Sequence, residues 1–225
     1  MTNPFEGMRA VLFDMDGTLV ETDIDFPLMK REMLALGERY GIPASELQGL
    51  DILGVVDGVA ARLQEQGRAT EADRVRQEAF DRLEAIELVH CRDARPIPGA
   101  TELLHALREA GLKVGIVTRN CRSGVRLSLE RTGISADVLL TRDDVIRTKP
   151  HPDHLHQALE TLGVRPEEAV MVGDHWMDIQ GGKAAGTRTI GFLRPSRPRD
   201  LFDKVAPDLV ITSLTELIGY AERLK

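Results

Sequence analysis

The chain has 225 residues, of which 42% are hydrophobic and 29% charged, a composition typical of a globular protein with a sizeable core. Lys and Arg together number 29 and Asp and Glu number 36, so the formal net charge is −7. This acidic balance argues against binding to nucleic acid or to an anionic membrane surface, because both require a basic patch. No apolar run reaches the roughly 20 residues of a membrane span, and we expect no signal peptide. Cys91 and Cys121 form no Cys-x-x-Cys pair, so we expect two reduced thiols in a cytoplasmic protein.

Six short apolar segments predict buried β-strands. They lie at 9–13, 111–118, 136–140, 168–174, 187–193 and 208–213. Helical patterns occur between or after most of these segments, at 99–111, 123–133, 151–163, 176–186 and 213–225. Alternation of strands with helices predicts βαβ units and an α/β fold with a mainly parallel sheet.

One long connection interrupts this alternation. A loop from a strand to a helix normally has about 2–6 residues, but the stretch from Thr18 to Pro98 is far longer and contains no convincing strand. It contains helical patterns instead, at 26–41, 50–67 and 70–90. We therefore predict a small helical domain at residues 19–95, inserted into a core domain made of residues 1–18 and 96–225.

Polar side chains follow the predicted strands where each strand ends. In an open parallel sheet, ligands bind beyond the carboxyl ends of the strands. The first strand is followed by Asp14 and Asp16, the second ends at Thr118, the third is followed by a segment with Lys149, and the fourth ends at Asp174. The topology should therefore bring acids, a hydroxyl and a lysine to one edge of the sheet.

These residue types suit phosphoryl transfer. Asp14 and Asp174 could hold Mg²⁺, which takes oxygen ligands and needs only one or two carboxylates. A carboxylate can also attack phosphorus to form an aspartyl-phosphate, while a second one two residues on, Asp16, protonates the leaving oxygen and later activates water. Lys149 and Thr118 would supply a positive charge and a hydroxyl donor to the phosphate oxygens.

Four motifs resemble those of the haloacid dehalogenase-like phosphohydrolases, in the order of that family. They are FDMDGTLV at 13–20, VGIVTRN at 114–120, TKPHPD at 148–153 and VMVGDHWMDI at 170–179. Together they bracket nearly the whole chain. The resemblance implies a doubly wound, Rossmann-like α/β core, and it implies that the helical insert is a cap that closes over the site and helps to choose the substrate.

The resemblance also implies roles for the matching residues. Asp14 would be the nucleophile and Asp16 the general acid/base. Mg²⁺ would be held by the Asp14 carboxylate, the Asp16 main-chain oxygen and Asp174, with Asp178 as an orienting residue or occasional ligand. The second aspartate of the signature, Asp16, favours phosphate chemistry because dehalogenases typically lack it. The expected phosphate-binding residues are Gly17, Thr18, Thr118, Arg119, Asn120 and Lys149.

Two residues of these motifs have open interpretations. Arg119 stands where relatives often have a small residue or Asn, and it either contacts the phosphate or substrate or points to solvent. His175 adjoins Asp174, but a residue there more often begins a helix or lines the site than binds a metal.

The resemblance favours a Mg²⁺-dependent phosphatase acting on a small phosphorylated metabolite, with phosphoglycolate as a candidate substrate and a monomer or homodimer as the assembly. A phosphosugar mutase of the same superfamily is the alternative enzyme. Two non-hydrolytic alternatives are a phospho-accepting signalling module and a binding protein on an enzyme scaffold. A nicotinamide-dependent dehydrogenase is disfavoured, because no Gly-x-Gly-x-x-Gly follows the first strand.

Overall fold

The computed structural model describes residues 3–195 and 197–224. In chain order its strands and α-helices are β1 (Ala10–Phe13), β2 (Val20–Glu21), α1 (Phe26–Arg39), α2 (Ile52–Glu65), α3 (Ala69–Cys91), β3 (Arg95–Pro96), α4 (Ala100–Glu109), β4 (Lys113–Val117), α5 (Arg122–Thr132), β5 (Val138–Leu140), α6 (Asp153–Leu162), β6 (Ala169–Gly173), α7 (Trp176–Ala185), β7 (Arg188–Phe192), β8 (Leu209–Ile211) and α8 (Thr215–Glu222). Within the described ranges, none of the helices has both the length and the apolar character needed to cross a bilayer.

Six of the strands form one parallel sheet in the order β5-β4-β1-β6-β7-β8. β1 lies in the middle, where Phe13 is paired with Ile116 of β4 on one side and with Val172 of β6 on the other. All six predicted strands are present, each shorter than predicted by one or two residues at one end or both. The predicted α/β fold with a mainly parallel sheet is therefore confirmed.

Alternate residues of β1 supply the cores on the two faces of the sheet. Val11 and Phe13 belong to a cluster that includes apolar residues of α4, α5 and α8. Ala10 and Leu12 belong to a second cluster, with apolar residues of α6 and α7. A strand covered by helices on both faces must be apolar at every position, which explains the continuous hydrophobic run before Asp14.

The chain divides into two compact units, Met1–Thr22 with Arg92–Lys225 and the helical unit Asp23–Cys91. In the helical unit, α1, α2 and α3 bury residues such as Met33, Val59 and Leu83. The carboxylates of Asp25 and Asp51 cap the first two helices, each accepting a backbone N–H at 2.7 Å.

One part of the connection differs from the prediction, since the stretch from Thr18 to Pro98 does contain strands. β2 and β3 form an antiparallel ribbon in which Val20 is paired with Pro96 and Glu21 with Arg95. A two-residue strand carries no measurable hydrophobic period, so pattern analysis cannot detect it. The ribbon belongs to the α/β unit, and the helical unit begins and ends a few residues inside the predicted range of 19–95.

Packing at Gly115 in β4 leads to a prediction about stability. A Cβ atom there would lie 2.5 Å from Leu12 Cδ2 and 2.9 Å from Val138 Cγ1, so Gly115→Ala should lower the free energy of unfolding by about 1–3 kcal/mol through overpacking. At Gly219 of α8 the nearest atom would be the end of the Arg223 side chain, at 3.5 Å. Gly219→Ala should therefore raise that free energy by about 0.5–1 kcal/mol. Urea unfolding measures both, and equal stability of the two variants would contradict the packing at Gly115.

Candidate active site

The first acidic corner is built by the end of β1. The Asp14 N–H donates to Val172 O at 2.9 Å, which extends the pairing with β6 by one residue. The chain then turns, and the Gly17 N–H donates to Val20 O at 2.8 Å. Gly17 has φ +82°, and a Cβ there would lie 2.6 Å from Asp174 Oδ2. Only glycine permits this backbone to approach Asp174 so closely.

Lys149 joins two of the carboxylates. Its Nζ lies 2.8 Å from Asp14 Oδ1 and 2.7 Å from Asp178 Oδ1, and its side chain is 1% exposed. Burial alone would lower the pKa of Lys149, but the two carboxylates outweigh burial and raise it. The site therefore contains a fixed ammonium charge in contact with Asp14.

The start of α7 places Asp178. Its Oδ2 accepts the His175 N–H at 3.0 Å, while the His175 imidazole accepts the Met177 N–H at 3.4 Å. These two hydrogen bonds make His175 the N-cap residue of α7, so it starts the helix, which is one of its two expected roles. Both carboxylate oxygens of Asp178 are thus bonded, one to His175 and one to Lys149, and this fits an orienting role.

Three carboxylates meet where β1 and β6 end. Asp14, Asp174 and Asp178 each offer an oxygen, and these oxygens all lie within 4.8 Å of one another. Burial raises the pKa of Asp14 to about 8; Lys149 opposes this rise, and the neighbouring Asp178 and Asp174 add to it. Burial and the charge of Asp178 also raise the pKa of Asp174. A buried cluster of hard oxygen donors with excess negative charge fits a divalent cation such as Mg²⁺.

Asp16 does not belong to this cluster, and its carboxylate has a hydrogen-bond partner of its own. The residue between it and Asp14, Met15, is fully buried in the core. Burial raises the pKa of Asp16 to about 7, although a hydrogen bond from the Thr22 hydroxyl to its Oδ1 opposes the rise. Thr22 lies beyond the motif, so sequence analysis missed it. A carboxyl with a pKa near neutrality suits proton donation and proton acceptance.

The segment after β4 supplies buried polar groups. Thr118 is 1% exposed, and its hydroxyl accepts the Asn120 N–H at 3.3 Å. Among the described residues, the Asn120 amide nitrogen and the Thr18 hydroxyl are buried without a hydrogen-bond partner. Arg119 lies against α7, with Nη1 at 2.6 Å from Met177 Sδ, and so does not point to solvent.

Two arginines of the site come from the segment between β7 and β8, which no motif covers. Arg197 donates to Asp174 Oδ2 from Nη2 at 3.0 Å and from Nε at 3.3 Å. Arg194 pairs with both carboxylate oxygens of Glu21. Sequence analysis did not single out either arginine, because an isolated arginine in a loop carries no pattern.

Behind Lys149 lies a buried histidine, His154 of α6. Its Nδ1 accepts the Lys149 N–H at 3.4 Å, and the residue is completely buried. Burial and the charge of Lys149 lower the pKa of His154 to about 3. The imidazole is therefore neutral in the folded protein.

This burial leads to a prediction about acid stability. Because the unfolded chain binds a proton at His154 below its ordinary pKa of 6.5 and the folded chain does not, the contribution of His154 to stability should rise with pH between about 3 and 6.5. The contribution is about 1.4 kcal/mol per pH unit at most. His154→Gln should reduce the slope of unfolding free energy against pH in this window. The matched control is His105→Gln, at a side chain that is 73% exposed, and equal slopes in both variants would contradict the assignment.

Comparison with known proteins gives matches along nearly the whole chain. The model of the haloacid dehalogenase-like hydrolase family matches residues 8–186. The N-acetylmuramic acid 6-phosphate phosphatase of Pseudomonas aeruginosa is 34% identical over 228 residues, covering 96% of each chain. The pyrophosphatase PpaX of Bacillus velezensis is 32% identical over 215 residues, covering 94% of this chain and 95% of that protein. A solved HAD family hydrolase of Deinococcus radiodurans, with bound phosphate and sodium, is 27% identical with a TM-score of 0.62, covering 97% of this chain and 98% of that one. These matches confirm the family that the sequence resembles, and the chain belongs to the haloacid dehalogenase-like hydrolase family.

Proposed function

We propose that the chain is a Mg²⁺-dependent phosphatase that hydrolyses a small phosphorylated metabolite through an aspartyl-phosphate on Asp14. The observation that carries the proposal is the contact of Asp14 with the buried ammonium of Lys149, inside a cluster that includes Asp174. A nucleophilic carboxylate and a fixed positive charge are thereby held at one point. Phosphoryl transfer needs both, because the phosphoryl group carries negative charge on its oxygens.

The residues that would hold Mg²⁺ are Asp14, Asp174 and the main chain of Asp16, with Asp178 orienting them. When bound, the cation neutralises phosphate charge that would otherwise repel the carboxylates. Lys149 would likewise neutralise negative charge on the phosphate oxygens. Its second contact, with Asp178, holds the ammonium group in place.

The reaction has two steps. In the first, an Asp14 carboxylate oxygen attacks phosphorus, the bond from phosphorus to the ester oxygen breaks, and Asp16 gives its proton to the leaving oxygen. In the second, Asp16 takes a proton from water, the water oxygen attacks phosphorus, and the bond to Asp14 breaks to release inorganic phosphate. The pKa of about 7 at Asp16 suits both directions of proton transfer.

The phosphate would also contact the buried donors beside β4. The Thr118 hydroxyl and the Asn120 amide nitrogen lie on the segment where that strand ends, and the amide has no hydrogen-bond partner among the described residues. A buried amide without a partner is costly, and a phosphate oxygen would satisfy it. Gly17 and Thr18 contribute the turn that follows Asp16, and Arg119 would add a positive charge for the substrate beside this phosphate site.

The proposed substrate class comes from the relatives named above. One named relative is an N-acetylmuramic acid 6-phosphate phosphatase and another is a pyrophosphatase. We therefore propose a small phosphorylated metabolite as the substrate class of this chain. Phosphoglycolate is a further candidate. The helical unit, 23–91, would act as the cap that helps to select among such compounds, in a cytoplasmic protein that acts as a monomer or homodimer.

The first experiment is a measurement of phosphate release from a panel of these compounds, with Mg²⁺ and with a chelator. The Asp14→Asn variant should lose about 10³-fold or more of the activity, because it removes the nucleophile while keeping the shape. Asp203→Asn, at an exposed position before β8, is the matched control and should retain it. Metal-independent release, or release that survives in Asp14→Asn, would refute the proposed mechanism. Conversion of a sugar phosphate into its isomer without free phosphate would instead identify a mutase.

A further inference from the structure

The segment between β7 and β8 leaves the sheet next to the end of β6, which is followed by Asp174. β6 and β7 are parallel neighbours, and Gly173 is paired with Gly191. Asp174 follows the first of these glycines, and Arg194 and Arg197 follow the second after a few residues. Because parallel neighbours end at the same edge, the two arginines belong to the site for the same topological reason as Asp174.

The two arginines have different surroundings. Arg194 pairs with both oxygens of Glu21, and its side chain is 22% exposed. Glu21 therefore balances its charge and fixes the segment to the ribbon. Arg197 uses Nε and Nη2 on Asp174, but its side chain is 38% exposed. Among the described residues, its third nitrogen, Nη1, makes no hydrogen bond, so Arg197 presents donors to solvent at the edge of the site.

A second cation contacts the same short stretch of chain as Arg197. Arg119 Nη1 lies 2.6 Å from Met177 Sδ, and Arg197 Nη2 donates to Asp174 Oδ2 at 3.0 Å, three residues earlier. The two arginines come from different segments, one after β4 and one after β7, and both contact residues 174–177. Lys149 is buried against Asp14 and Asp178, whereas the Arg197 side chain is partly exposed.

We propose that Arg197, with Arg119 as the second cation, forms a subsite for an acidic group of the substrate other than the phosphoryl group that is transferred. The inference rests on the proposed phosphatase function and narrows its substrate class to compounds with a second anion, either a carboxylate or a second phosphate. A guanidinium offers a planar fork of donors that matches either anion. A cation held by Asp174 would compete with Arg197 for that carboxylate and would leave more of the fork available to the substrate.

The kinetic test compares pairs of substrates in which one member carries a second anion and the other does not, and it follows how each ratio changes on mutation. Phosphoglycolate and 2-hydroxyethyl phosphate differ by a carboxylate in place of a hydroxymethyl group, and pyrophosphate and methyl phosphate form the second pair. For each pair we take the kcat/KM of the substrate with the second anion divided by that of the substrate without it. Arg197→Gln should lower this ratio by about 10-fold or more in the pair whose second anion binds the subsite. Arg119→Gln should lower it in the same direction. The matched control is Arg199→Gln, at an exposed position two residues along the same segment, which should leave the ratio unchanged.

A binding test does not depend on turnover. Calorimetric titration with methylenediphosphonate, methylphosphonate and phosphonoacetate, in the presence of Mg²⁺, should show tighter binding of at least one two-anion compound than of methylphosphonate. Arg197→Gln should abolish that preference, and Arg199→Gln should keep it. Equal binding of the three compounds by the parent protein, or an unchanged preference in Arg197→Gln, would overturn the subsite. Absence of phosphate release by the parent protein with a preserved preference would refute the phosphatase alone.

Discussion

The site depends on a buried lysine held between two buried carboxylates. Lys149 contacts Asp14 at the end of β1 and Asp178 in the first turn of α7, and it comes from the segment before α6. Three distant parts of the chain are therefore joined by one ammonium group. Removing one partner of such a buried set typically costs about 3–5 kcal/mol, because the remaining charges are left without compensation. The same contacts that fix the fold here also set the charge at the proposed nucleophile.

The backbone around this set is shaped by close approach. A Cβ at Gly17 would contact Asp174, and a Cβ at Gly173 would lie 2.3 Å from Asp178 Cβ. A glycine in the turn after β1 and a glycine at the end of β6 thus leave room for two carboxylates. The parallel sheet brings the strand ends to one edge, and the glycines allow the acids to come within a few ångströms of one another.

Much of this arrangement could be predicted from the sequence. The six strands of the sheet are apolar on both faces, so their composition identifies them, and the acids follow the strand ends at fixed positions. The remaining features depend on contacts between distant residues. The bond from Thr22 to Asp16 and the contact of Arg197 with Asp174 join residues that no local pattern relates. The ribbon of β2 and β3 is too short to show a period, and its position sets the limits of the helical unit.

The proposed chemistry and the stability of the fold make opposite demands on the carboxylates. Burial raises the pKa of Asp14 to about 8 and that of Asp16 to about 7, from ordinary values near 4. When a carboxyl has a higher pKa in the folded chain than in the unfolded chain, the folded state loses stability as the pH rises from the ordinary pKa to the raised one. At neutral pH these groups therefore oppose folding unless a positive charge compensates them. Lys149 opposes the rise at Asp14 only in part, Arg197 acts on Asp174 instead, and a divalent cation would add the compensating charge. The core packed on the two faces of the sheet must supply the stability that the acidic edge lacks.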